Sequence, residues 1–265
     1  VGITRPCTKY NWLVKDVNEL ANVIHEAFRI AQSGRPGPVV VDVPKDIQFA
    51  RGHYSPLAGH PIRESYRPAT EGNSDAIAAA VELMANARRP VIYSGGGVVN
   101  SGPEATRLLR ELVEITNFPI TSTLMGLGCY PASGKNWLGM LGMHGSYQAN
   151  MAMHDCDVMV CVGARFDDRI TGRVDAFSPN SKKIHIDIDP SSINKNIHVD
   201  VPILGDVATV LEDMVRRYRA LKGERPSLAA WWDNVERWRG RDCFAYTPSK
   251  DVIMPQYALE RLNAA

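Results

Sequence analysis

The chain has 265 residues, of which 45% are hydrophobic and 22% are charged, and its formal net charge is +1. These are ordinary values for a globular protein, and the near-neutral charge argues against a nucleic-acid partner or an acidic membrane surface. No run of residues approaches the roughly 20 apolar residues of a membrane-spanning helix, so we expect no membrane partner.

The first fifty residues predict a helix followed by a strand. The opening VGITRPCTKY has neither an initiator methionine nor an apolar signal segment, so we expect the chain to be an internal part of a longer polypeptide. Apolar residues recur at helical spacing over 17–32, and VVVDV at 39–43 has the β-branched residues of a buried strand. The prolines and glycines between 44 and about 70 predict an irregular interdomain linker.

From Asn73 the pattern alternates regularly between helix and strand. Asn73 is a candidate N-cap, and helices are predicted at 75–87, 103–116, 146–154 and 207–222. Strands are predicted at 91–94, 118–123, 157–162, 183–188 and 201–204. Strands separated by helices indicate an α/β fold with a doubly wound parallel sheet. Beyond it, 227–242 predicts an amphipathic helix that ends near Gly240, and QYALERL begins another.

Four unusual segments follow predicted strands directly. They are SGGG at 94–97, TSTLMG at 121–126, GARFDDR at 163–169 and DIDP at 187–190. Ligands of doubly wound sheets bind outside the carboxyl ends of the strands. We therefore expect Gly96, Thr123, Gly163 and Asp187 to gather around one cleft.

Each segment also has a purely structural interpretation. The glycines at 95–97 could form only a tight turn, and Asn100 stands where the dinucleotide motif has its third glycine; alternatively, they let a cofactor approach the backbone. GARFDDR is either a solvated turn with internal ion pairs or a phosphate site built on two arginines. Asp187 is either a surface carboxylate or an acceptor for a ribose hydroxyl. His144 has no partner at metal-ligand spacing, which argues against a metal role.

The cysteines indicate the redox setting. There are five, scattered and never spaced as CxxC, at Cys7, Cys129, Cys156, Cys161 and Cys243. An odd number without such spacing argues against a disulfide framework and a structural zinc site. A reducing, cytoplasmic location is the expectation.

Four motifs together resemble the large catalytic subunit of the acetohydroxyacid synthases, also called acetolactate synthases. They are SGRPGPVVVDVPKDIQ, STLMGLGCYP, LGMLGMHG and VGARFDDRITGR, and the resemblance runs along essentially the whole chain. It implies a thiamine-diphosphate enzyme with three α/β domains. It places the end of the thiamine-pyrimidine-binding domain at 1–50 and a linker at 51–72. A Rossmann-like central FAD-binding domain follows at 73–225, and 226–265 contain a linker helix and the start of the thiamine-diphosphate-binding domain.

The resemblance also implies the contacts of the flavin, which would lie extended across the central domain. The matching positions are Arg35, Gly96, Thr123, Leu124, Leu141, Gly142, Met143, His144, Gly163, Ala164, Arg165, Phe166, Asp167, Asp187, Ile188, Asp206 and Val207. Lys45, Asp168 and Arg169 match positions near the substrate channel.

The motifs for thiamine chemistry are not matched. The family's catalytic glutamate and the GDG motif that holds Mg²⁺ and thiamine diphosphate are expected outside this chain. The Gly205-Asp206 pair is followed by Val207 and does not fit that motif. We therefore expect neither catalytic nor metal-binding residues here, and no acetolactate production by this chain alone.

The implied reaction is the decarboxylation of pyruvate on thiamine diphosphate and condensation with a second 2-oxo acid, pyruvate or 2-oxobutyrate. It serves isoleucine and valine biosynthesis, and FAD has no net redox role in it. The implied assembly is a homodimer or homotetramer with a possible regulatory small subunit. The alternatives are a related thiamine-diphosphate carboligase or oxidase, such as glyoxylate carboligase or pyruvate oxidase, and a non-catalytic nucleotide-binding module.

Overall fold

The first part of the chain forms a small parallel sheet with a connecting helix. In the computed structural model, which describes residues 1–54 and 66–265, β1 (Tyr10–Leu13) pairs with β2 (Val39–Asp42). Helix α1 (Leu20–Gln32) connects them, and Ala27 and Ile30 pack its inner face against Trp12. The short helix α2 (Lys45–Phe49) follows. The sequence did not predict β1 or α2, and half of the proposed linker at 51–72, namely 55–65, lies outside the described residues.

The second part contains the predicted doubly wound sheet. Its strands are β3 (Pro90–Ser94), β4 (Ile120–Ser122), β5 (Trp137–Met140), β6 (Val158–Val162), β7 (Lys182–Asp187) and β8 (Val201–Leu204). The sheet has the order β5-β4-β3-β6-β7-β8, and every pair of neighbours is parallel. The α/β fold expected from the sequence is confirmed.

Helices cover both faces of this sheet. Those of the second part are α3 (Ser74–Asn86), α4 (Gly96–Ser101), α5 (Pro103–Thr116), α6 (Tyr147–Asp155), α7 (Asp168–Thr171), α8 (Val207–Ala220), α9 (Ala229–Arg239) and α10 (Pro255–Ala264). The bounds of α3, α5, α6 and α8 agree with the predicted helices to within two residues. Asn73 caps α3 as expected, because its side chain accepts hydrogen bonds from the amides of Asp75 and Ala76.

Successive residues along each strand point to opposite faces of the sheet and contribute to two separate hydrophobic cores. Ile92, Val160 and Ile184 are paired across β3, β6 and β7, and they pack with buried residues of α3, α5 and α8. On the opposite face, Tyr93 and Cys161 pack with residues of α6 and α9. Because both faces of the sheet are buried, the central strand β6, VMVCV, is apolar along its whole length. The burial of apolar side chains on both faces holds the sheet rigid beneath its carboxyl edge.

The strand order places a crevice between β3 and β6. From β3 the chain proceeds to β4 and β5 on one side, returns through α6 to β6, and continues to β7 and β8 on the other side. Connections that leave two adjacent parallel strands in opposite directions open a gap at the carboxyl edge. At this point of the edge Gly95 follows β3 and Gly163 follows β6.

Helix α9 closes the second face of the sheet. The indole nitrogen of Trp231 donates a hydrogen bond to the carbonyl of Pro90 at 2.9 Å, and its ring lies edge-on to Trp238 with centroids 5.5 Å apart. Trp231 is buried, so this contact fixes α9 against the start of β3. No helix in the described ranges is long and apolar enough to cross a membrane. All five cysteines are described, and each is a free thiol.

Candidate functional site

A cavity of about 590 Å³ lies at the carboxyl edge of the sheet, at the crevice between β3 and β6. It is lined by the segments that follow β3, β4, β6 and β7, by the first residues of α8, and by residues 34–36 from the first part of the chain. Its volume is in the range of pockets that hold small ligands and cofactors. The predicted gathering of Gly96, Thr123, Gly163 and Asp187 is confirmed as a structural relationship.

The glycines at this edge let two backbone segments touch. A Cβ atom on Gly97 would lie 2.6 Å from the Cα of Gly163, and one on Gly163 would lie 2.7 Å from the Cα of Gly97. The amide of Gly97 donates to the carbonyl of Gly163 at 2.8 Å. Gly163 also has a φ of +59°, which favours glycine. Gly97 and Gly163 therefore allow the chain to pack against itself, while Gly96 begins α4 and lines the cleft.

The charged segment after β6 forms part of the cleft wall. Arg165 and Asp167 form an ion pair at 2.7 Å, as the structural interpretation anticipated. Asp168 and Arg169 begin α7, and their nearest charged atoms are 3.9 Å apart. All four residues line the cavity and are partly or largely exposed. The cleft therefore presents cationic groups to a ligand, with carboxylates beside them.

His185 lies buried beneath this segment. Its Nε2 atom is 2.8 Å from the carbonyl of Ala164, which can only accept, so Nε2 carries the proton. Within the described residues, Nδ1 has no hydrogen-bond partner. Burial lowers the pKa of His185 to about 4, and the hydrogen bond to Ala164 opposes this shift without cancelling it. The ring is therefore neutral, and its 3.7 Å separation from Asp187 is not an ion pair.

Asp187 ends β7 as a mostly buried carboxylate in the cleft wall. Burial raises its pKa, although the amide of Asp189 donates to Oδ1 at 2.8 Å and favours the charged form. Burial alone would also raise the pKa of Asp189, but hydrogen bonds from Ser191 and Arg35 outweigh it and lower that pKa. The two carboxyl groups therefore differ. The charged form of Asp187 is destabilised by burial, whereas the charged form of Asp189 is stabilised by Arg35 and Ser191.

Asp206 joins two helices at the cleft. Its side chain accepts hydrogen bonds from the amide of Ala208, at the start of α8, and from the hydroxyl of Ser101, at the end of α4, at 3.0 and 2.7 Å. This arrangement places both helix ends at the cavity. The role of Ser101 was not predicted, because α4 itself was not.

The model of the thiamine pyrophosphate enzyme central domain matches residues 77–214, more than half of the chain. The chain belongs to this family. It is 43% identical over 99% of its length to the acetolactate synthase isozyme 3 large subunit of Escherichia coli, of which it covers 46%. The acetolactate synthase large subunit of Haemophilus influenzae is 39% identical over 98% of the chain, which covers 45% of it. The acetolactate synthase of Mycobacterium leprae is 43% identical over 99% of the chain, which covers 42% of that protein. The chain spans about half the length of these curated relatives.

Most of the predicted site residues of this thiamine pyrophosphate enzyme family member line the cleft. They are Arg35, Gly96, Thr123, Leu124, Gly163, Ala164, Arg165, Asp167, Asp187, Ile188, Asp206 and Val207, together with Asp168 and Arg169. Sequence reasoning missed several lining residues, namely Gly34, Pro36, Gly97, Val99, Asn100, Ser101, Met125, Ile170 and Ser192. Five of these, namely Gly34, Pro36, Gly97, Met125 and Ile170, are next to a predicted position in the sequence, whereas Val99, Asn100, Ser101 and Ser192 are three to five residues from one.

Six predicted residues lie off the cleft wall. Leu141 and Phe166 are buried in the core, and Gly142 is buried against the backbone of Arg169 and Ile170. Met143 and His144 are exposed, and the amide of Met143 donates to the carbonyl of Arg169, a residue of the cleft wall, at 2.9 Å. Lys45 is exposed at the start of α2. Their roles stay predictions. Within 1–54 and 66–265, no group of three or more His, Cys, Asp or Glu is arranged to hold a metal.

Proposed function

We propose that this chain is part of an acetolactate synthase large subunit and that its cleft binds FAD. The similarity to proteins of that name carries the proposal, because it extends over 98–99% of the chain, well beyond the matched central domain at 77–214. The proposed boundaries are the end of one domain at 1–50, a linker at 51–72, the FAD-binding domain at 73–225 and the start of another domain at 226–265.

The chemistry of the cleft fits a flavin dinucleotide. Arg35, Arg165 and Arg169 supply cations suited to a pyrophosphate. The Asp187 carboxylate provides an acceptor for a ribose hydroxyl at a strand end. Leu124 and Met125 expose apolar surface at the same cavity, which suits a flat ring. Bound FAD would have no net redox role in the overall reaction.

Thiamine diphosphate and Mg²⁺ are proposed for the whole enzyme. The described residues contain no metal cluster, and the chain spans less than half of the three relatives named above. We assign to the rest of the enzyme the groups that activate the thiamine ring and hold its diphosphate. The reaction is the decarboxylation of pyruvate and its condensation with pyruvate or 2-oxobutyrate. The three named relatives all carry the acetolactate synthase name, so nothing favours another carboligase, an oxidase or a non-catalytic module.

The proposed assembly follows from the names of the relatives. Two of those above are called large subunits, which supports a small regulatory partner and a homodimer or homotetramer of catalytic chains. We propose a cytoplasmic location, because the five cysteines are free thiols.

Equilibrium titration with FAD, followed by flavin fluorescence and by the visible spectrum, tests the cofactor. Saturable binding of one FAD per chain is expected. Arg169→Glu should weaken it, since Arg169 lines the cleft, whereas Arg173→Glu is the matched control: Arg173 is four residues away, exposed, and paired with Asp175. No binding, or equal loss in both variants, would contradict the FAD site.

A pyruvate assay tests whether the groups that activate thiamine diphosphate belong to the rest of the enzyme. The chain with thiamine diphosphate, Mg²⁺ and FAD is expected to form no acetolactate. The polypeptide extended to the length of the relatives is expected to form it. Turnover by the 265-residue chain equal to that of the extended protein would refute this assignment of the thiamine-activating groups.

A further inference from the structure

The backbone between β6 and α7 is held by side chains rather than by regular structure. The carbonyl oxygens of three successive residues, 164–166, each accept a hydrogen bond from a side chain distant in sequence, and we call these residues the anchored loop. The donors are Nε2 of His185 to Ala164 at 2.8 Å, the hydroxyl of Tyr93 to Arg165 at 3.4 Å, and Nδ2 of Asn196 to Phe166 at 2.6 Å. The carbonyl of Arg165 also accepts from the amide of Asp167 at 3.0 Å.

Two of these donors belong to one row across the sheet. Tyr93 on β3 pairs with Cys161 on β6, which pairs with His185 on β7. All three are fully buried, and the thiol of Cys161 also lies 3.1 Å from the carbonyl of Ala164. The Phe166 ring packs edge-on against His185, with centroids 5.1 Å apart. Close packing leaves this row little freedom to move, so the anchored loop rests on a rigid base.

The anchoring determines which way the peptide groups face. In a trans peptide the N–H points opposite to the preceding carbonyl, and the described residues contain no cis peptide bond. The amide of Arg165 therefore points away from His185, and that of Phe166 points away from Tyr93. Within the described ranges, neither amide donates to an acceptor of the chain. Neither amide is thus committed to a partner in this part of the chain, and Ala164 and Arg165 line the cleft.

We propose that Tyr93, His185 and Asn196 are positioning residues for the flavin nucleotide. They hold the anchored loop so that the amides of Arg165 and Phe166 meet acceptor atoms of the bound dinucleotide without reorganisation. This inference rests on the proposed FAD site and goes beyond it, because none of the three side chains lines the cleft. Donors that are fixed before binding avoid the entropy cost of ordering a loop.

Paired substitutions at His185 separate positioning from bulk packing. His185→Leu removes the donor to Ala164, and His185→Gln keeps an amide donor that can occupy a similar position. Equilibrium FAD titration of the full chain is expected to show about a tenfold weaker affinity for His185→Leu, and recovery to within about threefold of the parent for His185→Gln. Tyr93→Phe and Asn196→Ala, which remove the other two donors, are expected to weaken binding in the same direction.

The matched control is Ile184→Val, at the residue before His185 and on the opposite face of β7. It lowers the free energy of unfolding without touching the anchored loop, so FAD affinity should stay unchanged. If affinity instead follows stability across all five variants, or if His185→Leu binds FAD as tightly as the parent chain, the positioning role is overturned.

Amide hydrogen exchange of the flavin-free chain gives a readout that does not depend on FAD. Peptides covering 163–167 are expected to exchange faster in His185→Leu, but not in His185→Gln or Ile184→Val. Unchanged exchange in His185→Leu would overturn the anchoring itself. Absence of FAD binding by the parent chain, with faster exchange in His185→Leu, would instead refute the proposed flavin site and the positioning role that rests on it.

Discussion

Arg35 and Asp189 form an ion pair at 3.1 Å across 154 residues of sequence. Asp189 in turn donates its amide to Asp187, so the loop at 34–36 is joined to the buried acid of the cleft. Arg35 and its neighbours Gly34 and Pro36 line the same cavity as the strand ends of the large sheet. The first part of the chain therefore completes the cleft.

Arg35→Ala should reduce FAD affinity by about tenfold while lowering the free energy of unfolding by less than about 1 kcal/mol. The Arg35 side chain is 46% exposed, so its ion pair contributes little to stability. Flavin titration and urea unfolding measure the two quantities. Asp189→Asn removes the ion pair and keeps the cation, so its affinity should fall less. An equal loss in both variants would show that the ion pair, and not the guanidinium itself, matters to the ligand.

Asp187→Asn should separate stability from binding. Burial raises the pKa of Asp187, so its charged form is costly in the fold, and a neutral amide of the same shape removes that cost. The amide oxygen can still accept from the backbone of Asp189. We expect a thermal midpoint, measured without flavin, that is unchanged or higher, together with weaker FAD binding. A lower midpoint would show that the charge itself stabilises the loop.

Stability should depend on pH through His185. Burial holds its pKa in the folded chain at about 4, below the ordinary value of 6.5, so the unfolded chain binds a proton first as pH falls. The free energy of unfolding is therefore highest above about pH 6.5, as far as His185 determines it. It falls by about 3 kcal/mol at most as the pH is lowered towards 4. Urea unfolding at several pH values should show this decline, and His185→Gln should lack it. Parallel profiles for the two proteins would contradict the assignment.

Gly97→Ala should be more destabilising than Gly240→Ala. The new Cβ at Gly97 meets backbone atoms of Gly163 at 2.6–3.1 Å, which cannot move without shifting the end of β6. We expect a loss of about 2–3 kcal/mol and weaker FAD binding. Gly240 has an ordinary helical φ of −60°, and the nearest atoms to a new Cβ would lie 3.5 Å away, so alanine there should cost little. Urea unfolding compares them, and equal losses would argue against the contact.

The regular helices and central strands could be predicted because their signals are local. Asn73 caps α3, and α5 runs from Pro103 to Thr116, as the sequence pattern indicated. Strand β5 was missed, since Trp137–Met140 has no β-branched residue and contains Gly139 at a φ of +92°. Helix α4 was missed because glycine is a poor helix former, and contacts with Gly163 and Ala164 bring this backbone into place.

The residues that line the cleft could be predicted better than the buried residues that hold the lining in place. Strand ends marked Gly96, Gly163 and Asp187 in advance, because parallel strands share one carboxyl edge. His185 was not among the predicted site residues, and its ring is buried because helices cover both faces of the sheet. Its bond to the carbonyl of Ala164 depends on strand order, which no local pattern contains. Arg35 was placed only through the family resemblance.

The contact between Gly97 and Gly163 limits how this protein can evolve. A bulkier residue in a core is usually tolerated when a neighbour becomes smaller. Here each position faces another glycine, so no smaller partner exists to compensate. Double substitutions at the pair should therefore show no mutual rescue. Substitutions can accumulate in the side chains that line the cleft, whereas the contact between Gly97 and Gly163 accepts no residue other than glycine at either position.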